Sequence, residues 1–106
     1  MSSPDLLSVI EARLRGAFNP VLHLDVADES RRHAGHAGAR GGGRHVAVTI
    51  VSSAFEGLLP VARHRMIHAA LSAEMAGAIH ALAIGAYTPS EWDAGMKDRP
   101  RATTIP

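Results

Sequence analysis

The sequence predicts a two-layer α+β sandwich, with a three-stranded sheet and helices across one of its faces. Two patterns carry this. Apolar residues alternate with polar or small ones around Leu22, Leu24 and Val26, and again around Val46, Val48 and Ile50. That is the period of a half-buried strand. They recur at helical spacing through Leu6, Ile10 and Leu14, and through Ile67, Leu71 and Met75. Each of those segments presents one apolar stripe that needs a surface to cover. The order of the segments completes the argument: a strand pair precedes the second long helix and a last strand follows it.

The first helix spans residues 4–15. Ser3 can cap it, Pro4 suits its first turn, and Asp5 complements the positive end of the helix dipole. Leu7 and Phe18 widen its stripe, and Gly16 with Asn19-Pro20 ends it. Residues 20–28 form the first strand, with Leu22, Leu24 and Val26 on one face and His23, Asp25 and Ala27 on the other. Residues 29–43 hold five glycines and no large apolar side chain, so they read as a mobile loop. Residues 44–51 form the second strand, most simply antiparallel to the first.

Residues 52–60 read as a turn or short helix carrying Phe55 and Gly57, and residues 61–77 as the second main helix. Its stripe is Ile67, Leu71, Met75 and Ala78, flanked by Ala70 and Glu74. Residues 80–87 give the third strand. Leu82 and Ile84 share one face, while Ala81, Ala83 and Gly85 make the other unusually small. The crossover through the helices makes strands two and three parallel. Thr88-Pro89-Ser90-Glu91 is a capping box that opens a last short helix anchored by Trp92. Residues 1–95 are thus one domain, and residues 96–106 a polar tail expected to lack order.

Composition narrows the function. Apolar residues are 46% and charged residues 20% of the chain, a globular balance rather than a disordered one. Apolar runs are too short to cross a bilayer, so no membrane role is expected. The start lacks a basic segment ahead of an apolar stretch, which implies a cytoplasmic protein. A formal net charge of +1 excludes reading the whole chain as a polycation for nucleic acid. With no cysteine, disulfides and thiolate sites built from this chain alone are also excluded. No nucleophile, base and orienting acid fall into a catalytic arrangement, so no enzyme is expected.

Seven histidines are the compositional oddity. His45 opens strand two and His80 opens strand three. Parallel pairing would bring both strand starts to one side of the sheet, where the two imidazoles could converge. Two ligands do not complete a metal site, so the remaining donors would come from another molecule. Single histidines on strands are commonly structural or surface residues, and that alternative stays open here. The strand alternation also puts His80 on the side of Leu82, at the rim of the core. His33 and His36 lie in the glycine loop and read as solvated, while His23 and His68 read as surface positions. Arg63-His64-Arg65 places cations at a helix start, against the helix dipole. The cluster meets an anion or an acidic surface, or it is a polar face screened by solvent.

Phe55-x-Gly57, Arg63-His64-Arg65-Met66-Ile67, Leu71-x-x-Glu74, His80-Ala81-Leu82 and Tyr87-x-x-x-Glu91-Trp92 together resemble the BolA family. Val26-x-Asp28-Glu29-Ser30 and the strand beginning at His45 match it too, so the resemblance covers residues 4–92. His68 departs from it, standing where the family usually has an aromatic residue.

The resemblance implies a class II KH-like fold and a non-enzymatic partner of a monothiol glutaredoxin bearing a Cys-Gly-Phe-Ser site. The heterodimer shares a 2Fe–2S cluster, with glutaredoxin cysteine and glutathione on one side and this family's residues on the other. His80 stands at the ligand position that the family keeps. The second ligand comes from the loop before strand two, where His45 matches and His33 or His36 are alternatives. The roles implied are iron–sulfur trafficking and iron or redox regulation. The alternative is a DNA-binding transcriptional regulator, with Phe55, Gly57, Arg63, His64 and Arg65 as the contact surface. The segment leading into the second helix lacks the Gly-x-x-Gly of typical KH domains, which ranks DNA second. Weak self-association into a homodimer is a further option.

Overall fold

The computed structural model describes residues 5–29, 44–95 and 103–105. Its elements are α1 (Leu6–Ala17), β1 (Val21–Asp28), β2 (Arg44–Ser52), a 3-10 turn (Ser53–Phe55), α2 (Pro60–Ala70), α3 (Ser72–Ala76), β3 (Ile79–Tyr87), α4 (Pro89–Asp93) and β4 (Thr103–Ile105). The expected α+β architecture and element order are present. The glycine loop, with His33 and His36, lies outside the described residues.

Strands lie in the order β1-β2-β3-β4. β1 pairs antiparallel with β2, and β2 pairs parallel with β3. The three expected strands gain a fourth: Thr103–Ile105 runs antiparallel along β3, within the tail expected to lack order. An unpaired β3 edge would leave backbone groups without partners, and this segment supplies them.

Val46, Val48 and Ile50 of β2 and Leu82 and Ile84 of β3 point to one side, with Leu24 and Val26 of β1 beside them. Ile10, Leu14 and Phe18 from α1, Ile67 from α2, Leu71 and Phe55 close over that face to form the core. Phe18 and Phe55 meet in a tilted ring pair with centroids 5.0 Å apart. The buried Ser52 hydroxyl lies 2.7 Å from the Phe18 carbonyl and 2.9 Å from the Pro20 carbonyl, and accepts the Ala54 N–H. It ties the end of β2 to the connection between α1 and β1.

Four local expectations change. Asp5, rather than Ser3, caps α1: its carboxylate accepts the Ser8 N–H at 2.9 Å. A carboxylate there also satisfies the helix dipole. Leu22 does not join the inward face. The β1–β2 register shifts between Val21 and His23, and Leu22, the extra residue, is turned out and 62% exposed. The second helix is broken at Leu71 into α2 and α3. The break turns Glu74 toward α1, where its carboxylate accepts the Arg13 guanidinium at 2.7 Å. Ala78 falls beyond α3 and is exposed.

α4 packs on the outer face of the sheet, opposite the core. His23, Val51 and Tyr87 share one row of that face. Trp92 stacks on His23 at 4.9 Å and meets Tyr87 at 5.7 Å. Val51 is fully buried in the same row. The small residue at 85 has a reason here: a Cβ on Gly85 would sit 3.0 Å from the Tyr87 hydroxyl.

Replacing Phe55 by alanine removes a ring from the centre of the core. The expected loss is about 3–5 kcal/mol, read as a lower urea midpoint at unchanged slope. A shift worth less than about 1 kcal/mol would mean that Phe55 does not hold the layers together.

Candidate functional site

The parallel pairing of β2 and β3 places their starting ends side by side. Arg44 pairs with Ile79, but the next pair is His45 with Ala81. β3 therefore carries one extra residue, and that residue is His80. Bulges of this kind re-aim a side chain. Ile79 stays in the core and His80 is turned out and exposed. This corrects the reading that places His80 with Leu82 at the core rim.

His45 faces the same outer side, opposite the core residue Val46. The two imidazoles lie with centroids 5.5 Å apart and ring planes at 44°. Backbone contacts hold both strand starts. The Glu29 N–H donates to the His45 carbonyl at 2.7 Å, and the Arg44 N–H donates to the Ala78 carbonyl at 3.1 Å. Arg44 and Asp28 form an ion pair at 3.6 Å beside the pair. Imidazole nitrogens bind borderline transition metals, iron among them. Among the described residues, no three His, Cys, Asp or Glu side chains gather to hold a metal. Two imidazoles alone do not complete a four-ligand site, and the chain has no cysteine to add a thiolate.

The residues expected at a partner or nucleic-acid surface divide into two groups. Gly57 and Arg65 are exposed and His64 is half-buried. Gly57 has φ +79°, a left-handed turn that favours glycine. Phe55 is fully buried in the core and Arg63 is 6% exposed. The Arg63 guanidinium donates to the Leu58 and Ala86 carbonyls at 2.9 and 3.0 Å. It also grips Glu91 with two bonds, at 2.6 and 3.1 Å. Its charge is spent inside the fold, which answers why a cation sits near a helix start.

The Glu91 carboxyl is held below the usual carboxylate range, first by the Arg63 hydrogen bond and further by the Thr88 backbone, against an opposing effect of burial. Thr88 and Glu91 complete the capping box of α4. One carboxylate thus joins α2, the end of β3 and α4. Its identity as the partner of Arg63 was not legible in the sequence, where Glu91 shows only its local capping role.

The fold and site define a small α+β domain that presents a pair of imidazoles at one end of its sheet. Residues 14–91 match the family described as BolA, BolA-like protein. The chain belongs to that family. It is 43% identical over 101 residues to BolA-like protein 1 of Bos taurus, covering 95% of this chain and 72% of that one. It is 45% identical over 83 residues to BolA-like protein 1 of Homo sapiens, and spans 61% of that protein's length. It is 45% identical over 89 residues to the DNA-binding transcriptional regulator BolA of Escherichia coli K12, covering 84% of this chain and 80% of that one. The BolA domain of SufE1 from Arabidopsis thaliana superposes with TM-score 0.71 at 38% identity, over 85% of this chain and 99% of that one. Among the described residues, no helix is long and apolar enough to cross a membrane.

Acid should weaken the fold through Glu91. Its folded-state pKa lies below the ordinary 4.5, so the stabilisation is fully present above that value. It is lost as pH falls through the lowered, folded-state value. Chemical denaturation across that window should show Glu91→Gln to be less sensitive to acid than the unaltered chain. An equal acid dependence of the two would remove Glu91 from the account.

Proposed function

We propose that this BolA-family domain is a non-enzymatic partner of a monothiol glutaredoxin, sharing a glutathione-dependent 2Fe–2S cluster with it in iron–sulfur trafficking or iron and redox regulation. The observation that carries this reading is the His45–His80 pair, turned outward with ring centroids 5.5 Å apart on a chain without cysteine. His80 and His45 would be this chain's two ligands, and the partner's cysteine with glutathione would supply the thiolates. Such a cluster, when bound, supplies one-electron redox and transferable iron and sulfide, and nitrogen ligands raise its potential relative to thiolates. This chain's residues orient the imidazoles. The extra residue in β3 aims His80, and the β1–β2 pairing next to Glu29 fixes the backbone of His45. Ligation needs neutral imidazole, so assembly should weaken in acid.

A second reading is nucleic-acid binding, favoured by the relatives named DNA-binding transcriptional regulator BolA in Escherichia coli and Vibrio cholerae. Arg65, His64 and the Gly57 turn are the outward part of the surface it would use. Phosphate contacts would make affinity fall steeply with salt. Absence of binding in fluorescence anisotropy at low salt would eliminate it.

The test of the first reading mixes the full chain with a monothiol glutaredoxin, glutathione, ferrous iron and sulfide. The expected product is a coloured heterodimer. His80→Ala should change or abolish its visible absorption and circular dichroism. A spectrum identical to that of the unaltered complex would remove His80 from the ligand set.

A further inference from the structure

A second histidine pair, on α2, has no part in the iron–sulfur role proposed above. His64 and His68 stand four residues apart within this helix. That spacing puts two side chains on one helix face, with Cβ atoms about 5–6 Å apart. It is the spacing at which paired helical imidazoles close on one zinc ion in metalloprotease helices. Both residues are half-buried, and the two imidazoles are close enough to interact electrostatically.

The fold does not commit the ring of His68. Its Nε2 is buried and has no hydrogen-bond partner among the described residues. No described hydrogen bond would be lost if that ring turned. A buried unpartnered nitrogen is costly, so an arrangement that gives it a ligand is favoured.

The local charge also suits neutral donors. Burial, then His68, then Arg63 lower the pKa of His64 below the ordinary 6.5, so its lone pair is available at neutral pH. Arg63, one of the two arginines flanking His64, is paired with Glu91. Arg65 is exposed, where water and salt screen it.

We propose that His64 and His68 form a two-nitrogen site for a borderline divalent cation of the zinc type, on α2 and separate from the His45–His80 pair on the sheet. Zinc takes imidazole nitrogen readily and is commonly four-coordinate. Water completes the sphere in the isolated chain.

The experiment titrates the full chain with zinc chloride by calorimetry, in parallel with imidazole nitrogen–proton NMR. In the unaltered chain, the His64 and His68 ring signals move together at substoichiometric zinc. His64→Gln and His68→Gln each weaken that binding at least about tenfold, since even outer-shell partners cost that much. The double variant His45→Gln/His80→Gln retains it. Affinity unchanged in both single variants, folded by circular dichroism, overturns the site. So do His64 and His68 signals that stay still while zinc binds elsewhere, a readout that needs no variant to fold.

Discussion

The pairing of β2 with β3 is the constraint from which the rest follows. Parallel strands start on the same side, so a residue at the head of each is brought to one end of the sheet. A single extra residue in β3 then decides direction. Without it, strict alternation would put His80 on the face of Leu82, beneath the helices. With it, Ile79 keeps its place in the core and His80 is released outward beside His45. The same device acts at the start of β1, where the extra residue is Leu22 and the outcome is an exposed leucine. A register shift is therefore neutral in itself, and the residue it turns out gives it meaning.

The opposite end of the sheet is held by a different kind of interaction. Arg63 is removed from water, and a buried guanidinium is tolerated only when its donors are met. Two backbone carbonyls and the Glu91 carboxylate meet them. Glu91 is 37% exposed, so the pair gains less than a sealed one would, and its role is chiefly to position elements. It ties α4 to the end of β3, and Trp92 on α4 then lies over His23 and Tyr87. The two ends thus divide the work. One is locked by a charged network and aromatic stacking, and the other presents imidazoles.

Much of this was legible because it is local. Alternation marked Val46, Val48 and Ile50 as inward-facing, and helical spacing marked Ile10, Leu14 and Ile67. The capping box at Thr88 and Glu91 could be read from its own four residues. Glu74 was harder. It looked like the flank of a continuous helix, yet it is 9% exposed and paired with Arg13, sixty-one positions away. Nothing local marks the break at Leu71 that turns it there, since neither proline nor glycine stands at that point. Phe55 and Arg63 were taken for surface residues for the same reason. Their partners are Phe18 and Glu91, both remote in sequence.

By itself the sequence determined the α+β class, the order of the first three strands and their helices, most core positions and the absence of thiolate, because periodicity and composition act residue by residue. It also placed a histidine at the head of each of two strands. Only the tertiary structure decided that these rings meet, that Arg63 is buried and that Leu22 is not. Each of those outcomes depends on register or on contact between distant segments, and a one-residue slip in a strand exchanges inside for outside.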